Sequence, residues 1–354
     1  MTTIGEPDGQ APTYAWAPAP QKRPRRRGRW IVIAVVVAAA AVAILVVSAI
    51  VIGAIAAGSQ PAATKTPHPG MALLVPSDTG AATASASAQE GTDAAAAAAY
   101  LAAQPTAVWL TPEDTGIGAV GPAVTALLAE ARTADAALTI VVYGLPERDC
   151  EQYSAGGLAP ADYATWTAEI GAALKAAPEV TTIVVLEPDS LALAPQCGNV
   201  DARVEQLGAA IDDLVADNTW VYLDGGHSTW LPADQMAGLL RQAGVDRVRG
   251  FATNVSNYNS LDSEIAYAHE VSALLGGAHA VIDTSRNGAG SNGQWCNPAG
   301  RLVGETGGTT GDDVVDINLW IKPPGESDGT CNGGPEAGAW WAQSAVELTR
   351  QAAR

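Results

Sequence analysis

The sequence is poor in the residues that metal-dependent sites commonly use. It has four histidines, none spaced four residues apart as in a helical zinc motif, so Asp224, His227 and Asp283 only weakly indicate a metal centre. Basic residues are also few, and 37 acidic against 19 basic side chains leave a net charge of −18. This charge repels nucleic acid and anionic lipid and suits a neutral or cationic ligand. We expect no metal, no other cofactor and no nucleic-acid partner.

The N-terminal segment departs from this acidic composition. Basic residues cluster between Lys22 and Arg29, and an uncharged apolar run follows them. We predict a basic cytoplasmic tail over 1–29 and a transmembrane signal anchor over 30–57, because the run is long enough to span a bilayer with its basic flank inside. The rest of this single-pass membrane protein is then extracellular. The alternative is a signal peptide whose cleavage secretes the protein.

The remaining sequence divides into a linker and one domain. Residues 58–93 are rich in Ala, Ser, Thr, Pro and Gly without sustained periodicity, and we interpret them as a flexible linker. In the predicted domain, 94–354, short apolar runs alternate with helical spacing, which predicts an α/β fold with a mostly parallel sheet. The predicted strands are 106–110, 138–143, 182–187, 220–224, 248–254, 280–284 and 317–322. The predicted helices are 119–134, 161–176, 201–216, 233–243, 261–275 and 336–352.

All four cysteines lie after the apolar run, and an even number in an exported domain predicts two disulfides. Three pairings are possible from the sequence alone. Cys150 and Cys197 follow the second and third predicted strands, and Cys296 and Cys331 follow the sixth and seventh. Since consecutive strands place their loops side by side, we favour the bridges 150–197 and 296–331.

Two carboxyl groups follow neighbouring predicted strands. Asp149 ends the segment Tyr143-Gly-Leu-Pro-Glu-Arg-Asp, and Asp189 lies in Glu187-Pro-Asp-Ser. The carboxyl ends of parallel barrel strands converge on one mouth, so both groups are expected in the same site. Glycoside hydrolysis needs such a pair: a protonated acid for the leaving oxygen and an ionised group for the water. Taken singly, each segment also has a structural interpretation, such as an ion pair beside a disulfide.

Both segments resemble the signature motifs of glycoside hydrolase family 6, the cellobiohydrolases and endoglucanases that act on cellulose. The first motif runs from Val141 to Cys150 and the second from Val184 to Leu191. Further matches follow in family order: Tyr222–Trp230, Ala252–Asn259, Asp283–Gly288, Trp295–Asn297 and Trp320–Cys331. The resemblance spans 105–352 and, with the predicted anchor, indicates a membrane-anchored endoglucanase of the actinobacterial type.

The resemblance implies an inverting hydrolase of β-1,4-glucosidic bonds in cellulose or a related β-glucan. It also implies a distorted seven-stranded, TIM-like β/α barrel. Asp189 is then the proton donor, while Asp149 helps to keep it protonated and organises the attacking water. Tyr143 lies beside the distorted sugar ring.

Other residues take their expected roles from the same resemblance. Asp328 matches a position once proposed as a direct base, and its structural alternative is an ion pair with Arg148 or Lys322. The side chains expected to bind sugar hydroxyls are His227, Asn257, Lys322 and Glu326. The side chains expected to stack on glucose rings are Trp109, Trp230 and Trp295.

The segments between the paired cysteines are short compared with those of family members whose long loops roof a tunnel, so the resemblance implies an open cleft and internal cutting of the polymer. We also expect a monomer. Two alternatives stay open. One is an exo-acting cellobiohydrolase. The other is a membrane-tethered glucan-binding protein whose catalysis is lost or weak.

Overall fold

The computed structural model describes residues 65–151 and 156–353, and within these ranges seven parallel strands form one sheet in chain order. The strands are β1 Val108–Leu110, β2 Leu138–Val142, β3 Thr182–Leu186, β4 Thr219–Asp224, β5 Gly250–Thr253, β6 His279–Asp283 and β7 Val315–Leu319. Each pairs in parallel with the next, and each coincides with a predicted strand. The predicted α/β class with a parallel sheet is confirmed.

Helices surround the sheet. They are α1 Gly80–Ser87, α2 Asp93–Ala102, α3 Val120–Ala134, α4 Pro160–Lys175, α5 Ser190–Cys197, α6 Val200–Leu214, α7 Ala233–Gln242, α8 Leu261–Leu275 and α9 Ala342–Leu348. The sequence predicts α3, α4, α6, α7 and α8 closely but misses α1, α2 and α5. The last predicted helix, 336–352, is shortened to α9 because Gly338 has a left-handed backbone, with φ 79°.

The predicted tail at 1–29 and the predicted anchor at 30–57 lie outside the described residues. Among the helices of the described part, none has the length and apolar character needed to cross a membrane.

The strands are buried on both faces, which explains their uninterrupted apolar sequences. Every residue of β3 is buried. Ile183 and Val185 pack inside the curled sheet with Tyr222 of the next strand, whereas Val184 and Leu186 belong to the core between sheet and helices. The alternation along each strand therefore separates an inner core from an outer one.

The sheet curls into an incomplete barrel, with β1 and β7 at its two ends. Beside these ends, the backbone N–H of Ala107 donates to the Trp320 carbonyl (2.9 Å), and the indole Nε1 of Trp109 donates to the Ile321 carbonyl (2.9 Å). The two bonds bring the flanking segments together. The carboxyl ends of the strands therefore share one mouth.

The folded domain begins before residue 94, the predicted boundary. Leu74 is buried in the core, and Leu73 forms a parallel bridge with Ala137. Helix α1 follows, but none of its residues is fully buried, so no apolar periodicity marks it in the sequence. Residues 65–93 are therefore part of the domain, which corrects this stretch of the predicted linker.

The first described residues lie at the amino ends of the strands. The backbone N–H of Lys65 donates to Asn218 Oδ1 (3.2 Å), and Asn218 immediately precedes β4. Ala137, the partner of Leu73, immediately precedes β2. The chain therefore enters the domain at the face opposite the mouth.

Candidate active site

A cleft of about 1320 Å³ crosses the mouth of the sheet. Every side chain predicted to act in catalysis or substrate binding lines it: Trp109, Tyr143, Asp149, Asp189, His227, Trp230, Asn257, Trp295, Lys322, Glu326 and Asp328. Trp109 lies in β1 and the other ten lie in the loops after β2 to β7, so they meet only because the sheet curls. Both predicted disulfides, 150–197 and 296–331, are also present and tie loops beside the cleft.

Asp189 follows β3 and precedes the first residue of α5. Burial raises the pKa of its carboxyl well above the ordinary aspartate value, and the neighbouring carboxylates of Asp224 and Asp149 add to the effect. Its backbone N–H donates to Asp224 Oδ2 (3.0 Å), which fixes the turn. The environment of this side chain thus favours its protonated form, which is the form that a general acid requires.

Asp149 lies in a tight turn after β2. Tyr143 donates its phenolic hydrogen to Asp149 Oδ2 across 2.5 Å. The disulfide from Cys150 to Cys197 ties the same turn to the end of α5. Asp149 therefore has its carboxylate oriented by a neighbouring hydroxyl, and its turn is attached to the helix that follows Asp189.

Tyr143 is itself held on several sides. The Arg148 guanidinium lies 4.3 Å from the centre of the tyrosine ring, and its Nη1 donates to the Tyr143 carbonyl (2.7 Å). Trp109 meets the ring edge-on, with centroids 5.2 Å apart. Arg148 also donates from Nη2 to Glu113 Oε1 (3.0 Å). The phenol that contacts Asp149 is therefore fixed in place before any ligand arrives.

Glu187 has a structural part in the site that sequence reasoning did not assign. Its buried carboxylate accepts hydrogen bonds from the backbone N–H groups of Gly144 (2.9 Å) and Leu145 (3.2 Å), so it joins the loops after β2 and β3. Burial raises its pKa to about 7, although both backbone donors oppose that shift. An acid placed before proline at the end of an apolar strand was the available signal.

Asp224 at the end of β4 supports Asp189 from behind. Its Oδ2 accepts the N–H groups of Asp189 and Gly226, each at 3.0 Å. Oδ1 has no hydrogen-bond partner within the described chain, and burial raises the pKa of this carboxyl to about 7. Ionisation of both Asp224 and Asp189 would place two negative charges close together in a buried region. This repulsion favours the protonated form of Asp189.

Asp328 is fully engaged by donors. Its Oδ1 accepts from Arg286 Nη1 (2.8 Å), and its Oδ2 accepts from the Tyr258 hydroxyl (3.1 Å) and the Asn297 N–H (3.0 Å). Burial opposes its ionisation, but Arg286 and then Lys322 outweigh that effect and hold the pKa below its ordinary value. The direct ion-pair partner is Arg286, not Arg148 or Lys322, because Arg148 is turned toward Tyr143.

Asp283 at the end of β6 clamps three loops together. Its Oδ1 accepts the N–H groups of Ser285 (2.9 Å) and Ile321 (3.2 Å), and its Oδ2 accepts those of Ser256 (3.0 Å) and Lys322 (3.1 Å). These four donors belong to the loops after β5, β6 and β7. The clamp therefore positions the backbone from which the expected sugar-binding side chains project.

The polar side chains expected to bind sugar are pre-oriented. Asn259 Nδ2 donates to His227 Nδ1 (3.0 Å), and burial lowers the histidine pKa to about 4, so the neutral ring carries its proton on Nε2. Lys322 Nζ lies 3.4 Å from Glu326 Oε2 and 5.5 Å from the centre of the Trp109 ring. Asn257 Nδ2 donates to the carbonyl of Val255 (2.9 Å).

The three expected stacking residues differ in exposure. Trp109 and Trp230 are half-buried, and the Trp230 ring lies 5.3 Å from that of His227. Trp295 is 53% exposed at the rim, the highest value among the large apolar side chains of the described residues that are exposed. A sugar ring can therefore approach Trp295 from the solvent side.

Asp224, His227 and Asp283, the residues that weakly indicate a metal centre, do not lie within ligating distance of one another. Asp283 already accepts four backbone N–H groups, which leaves its carboxylate no open position for a metal. Over the ranges that the structure describes, one group has acids and a histidine within ligating distance of one another, namely His269, Asp312 and Asp313. None of these three lines the cleft.

One Gly-x-Ser-x-Gly sequence, Gly325–Gly329, has the spacing of a serine-hydrolase nucleophile elbow. Such an elbow needs a strand leading directly into the turn, but β7 ends at Leu319. Ser327 is buried, and its hydroxyl lies in hydrogen-bond range of the Gly329 and Pro335 carbonyls (3.0 and 2.9 Å). The serine therefore shapes the loop that carries Asp328.

Comparison with known proteins gives a family match over nearly all of the described chain. The family model for glycosyl hydrolases family 6 matches residues 72–352. Endoglucanase A of Cellulomonas fimi is 45% identical over 214 residues, which are 60% of this chain and 47% of that protein. Endoglucanase A of Thermobispora bispora is 40% identical over 265 residues, 72% of this chain and 56% of that protein. The chain thus spans about half the length of these curated relatives.

Among solved structures, the endoglucanase Cel6 from Mycobacterium tuberculosis is similar at 37% identity and a TM-score of 0.75. The match covers 82% of this chain and 100% of that one. That protein was solved in complex with methyl-cellobiosyl-4-deoxy-4-thio-β-D-cellobioside.

Proposed function

The chain belongs to glycoside hydrolase family 6, and on that premise we propose that it hydrolyses internal β-1,4-glucosidic bonds of cellulose or a related β-glucan with inversion at the anomeric carbon. One observation carries the proposal: Asp189, whose carboxyl pKa is raised by burial, lies with Asp149 in a cleft whose walls include three tryptophans. The endoglucanase names of the relatives from Cellulomonas fimi and Thermobispora bispora support the endo-acting form.

Asp189 is the proton donor. Its raised pKa keeps the proton at a pH where an ordinary aspartic acid has lost it. The proton passes to the glycosidic oxygen as the bond from that oxygen to C1 breaks. Asp224, buried against the Asp189 backbone, keeps the donor protonated by making a second negative charge unfavourable.

Asp149 organises the attacking water. Tyr143 fixes the carboxylate by its 2.5 Å hydrogen bond, and the disulfide at Cys150 fixes the turn. The water attacks C1 from the face opposite the leaving oxygen, which inverts the configuration, and its surplus proton leaves by way of Asp149 to solvent. We assign Asp328 a structural part, because Arg286, Tyr258 and Asn297 already occupy its oxygens.

Aromatic and polar groups along the cleft hold the polymer. Trp109, Trp230 and Trp295 offer ring faces for the apolar faces of glucose units. His227 donates from Nε2 to a sugar hydroxyl, and the Lys322–Glu326 pair offers both a donor and an acceptor. The cleft has a volume of about 1320 Å³, and Trp295 at its rim is exposed, so a glucan can enter from the side. This shape favours internal cutting.

Reducing ends and viscosity, followed together on soluble carboxymethylcellulose, test the proposal. The wild type is expected to lower viscosity quickly while releasing few ends, and Asp189→Ala is expected to lose both effects. Asp217→Ala, at an exposed position outside the cleft, is the matched control. Cellobiose as the sole early product would favour an exo-acting enzyme instead. Binding without hydrolysis by the wild type would favour the glucan-binding protein.

We further propose that residues 30–57 anchor the chain in the cell membrane, with the basic segment 1–29 inside and the domain outside as a monomer. The sequence pattern of a basic cluster followed by an apolar run supports this placement. The full chain should stay in the membrane fraction and be digested by protease added to intact cells. Removal of 1–57 should release a soluble monomer, which light scattering can measure. Cleavage near residue 57 during export would show a secreted protein instead.

A further inference from the structure

A buried cation lies beneath the turn that carries Asp149. Arg203, on α6, is 2% exposed. Its Nη1 donates to the Pro146 carbonyl and to Gln206 Oε1 (3.0 Å), and its Nη2 donates to the Glu147 carbonyl (2.5 Å). One guanidinium thus binds two successive peptide carbonyls, the pair that immediately precedes Arg148 and Asp149.

The turn above Arg203 needs external support. Glu147, Asp149 and Cys150 have φ of 52°, 53° and 54°, in the left-handed region that side-chain-bearing residues avoid. Each such residue is unfavourable by about 1 kcal/mol or more. A turn with three of them relaxes to a different backbone path unless neighbouring groups hold its peptide planes. Relaxation of these planes would change the direction of the Asp149 side chain, which Tyr143 now contacts.

The supports come from two helices. The Cys150–Cys197 bridge holds the far side of the turn from α5, and Arg203 holds the near side from α6. Between them remains a void of about 10 Å³, lined by Asp149, Glu187 and Arg203 among others. So small a void leaves room for about one water. Arg203 therefore contacts the Asp149 turn directly, with no layer of side chains between them.

We propose that Arg203 is a positioning residue for the hydrolytic reaction: its two carbonyl contacts fix the peptide planes before Asp149 and so aim that carboxylate at Tyr143 and the attacking water. The inference rests on the proposed function, because it assigns Asp149 the water. Planar forked donors suit the task, since a guanidinium bonds two carbonyls at once whereas an ammonium cannot match that geometry.

The test compares Arg203→Lys with Arg249→Lys. Arg249 makes a similar forked contact, to both oxygens of Asp316, but it lies just before β5 at the opposite end of the sheet. Both variants are expected to melt at lower temperature than the wild type. Assayed on soluble glucan well below their melting temperatures, Arg203→Lys should lose about tenfold to a hundredfold in kcat with little change in KM, because a catalytic group displaced by about 1 Å reduces rate by that order.

Gln206→Leu is the second variant. It keeps Arg203 but removes the acceptor that orients Nη1, and it should lower kcat about threefold, a difference of less than 1 kcal/mol in the barrier. It keeps the inference testable where Arg203→Lys does not fold. An equal kcat for the wild type and every folded variant at position 203 or 206 would overturn the role of Arg203. Equal kcat losses in the Arg203 and Arg249 variants would overturn it as well, since both would then reflect general destabilisation.

The same assay separates the inference from the function beneath it. A wild type without activity on any β-glucan would overturn both. A wild type that is active and sensitive to Asp189→Ala, but insensitive to the changes at 203 and 206, would overturn only the positioning by Arg203.

Discussion

The two walls of the cleft are held in different ways. The catalytic wall consists of the turns after β2 and β3, residues 143–150 and 187–190. The binding wall consists of the loops after β5, β6 and β7, residues 254–259, 284–297 and 320–328. Residues with left-handed backbone on the catalytic wall are Glu147, Asp149, Cys150, Glu187 and Asp189. On the binding wall, the residues other than glycine with this backbone are Asn254, Ser256 and Asn297, of which the asparagines tolerate that conformation best.

The two walls also shift the pKa of an aspartate in opposite directions. Asp189 on the catalytic wall has few donors and several acidic neighbours, so its pKa is raised. Asp328 on the binding wall has a cationic partner and further donors, so its pKa is lowered. Identical side chains thus become an acid on one wall and a permanent anion on the other. The wall with more left-handed residues other than glycine is thus also the wall on which the pKa of an aspartate, Asp189, is raised.

The largest effects are expected when the carboxyl group of Asp189 on the catalytic wall, or that of Asp328 on the binding wall, is replaced by an amide. Asp189→Asn should lower kcat by about 10³-fold, since no proton donor remains, while leaving the melting temperature unchanged or higher. Asp328→Asn should mainly lower the melting temperature, because Arg286 is left buried without its anion. Thermal melts and glucan kinetics on both variants decide. An activity loss at Asp328 as deep as that at Asp189 would restore Asp328 as a direct base.

The clamp of the binding wall can be removed at Asp283. In Asp283→Asn the amide nitrogen faces two backbone N–H groups, so the free energy of unfolding should fall by about 3 kcal/mol. KM should rise while kcat at saturation changes less, because the loops that carry Asn257 and Lys322 loosen.

Asp312→Asn is the control for the clamp, since Asp312 also accepts backbone N–H groups but does not line the cleft. Urea unfolding and Michaelis kinetics measure both variants. A KM for Asp283→Asn equal to that of the control would show that the clamp serves stability alone.

Low pH stabilises Asp224, which lies at the end of β4 and supports the catalytic wall from behind. The pKa of Asp224 is raised to about 7 in the folded state, so this residue contributes stability that is complete below its ordinary pKa and lost as pH rises toward 7. Asp224→Asn has no proton to lose, and its single oxygen can still accept both N–H groups. The fall in melting temperature between about pH 5 and about pH 8 should therefore shrink by about 3–5 °C in this variant.

Calorimetry across that pH range measures the effect, with Asp328→Asn as the contrasting variant. The Asp328 pKa is lowered, so removal of its charge should change the melting temperature by the same amount at both ends of the range. Parallel pH curves for the wild type and Asp224→Asn would contradict the assignment.

The smallest effect is expected at the rim. Trp295→Ala removes one exposed stacking face, which should raise KM about threefold to fivefold and leave kcat and stability nearly unchanged. Trp109→Ala should act more strongly, because its indole also bonds the Ile321 carbonyl beside β7. Kinetics on soluble cello-oligosaccharides of increasing length compare the two. Equal effects would show that the rim tryptophan binds as firmly as the inner one.

Much of the fold was predictable because parallel strands have apolar runs, and neighbouring loops limit the cysteine pairings. The cleft residues were predictable because they lie in continuous motifs at strand ends. Contacts between residues that are far apart in the sequence leave no local sequence pattern, so they were not predicted. Asp283 looks like any aspartate after a strand, Arg203 like any arginine on a helix, and the partner of Asp328 depends on which arginine the curled sheet brings near.

The described chain enters the domain at the amino ends of the strands, at the face opposite the cleft. Lys65 and Leu73 lie at that face, and the cleft opens at the other. Attachment of the folded domain to a surface at Lys65 itself would therefore leave the cleft open to the medium and to an insoluble polymer.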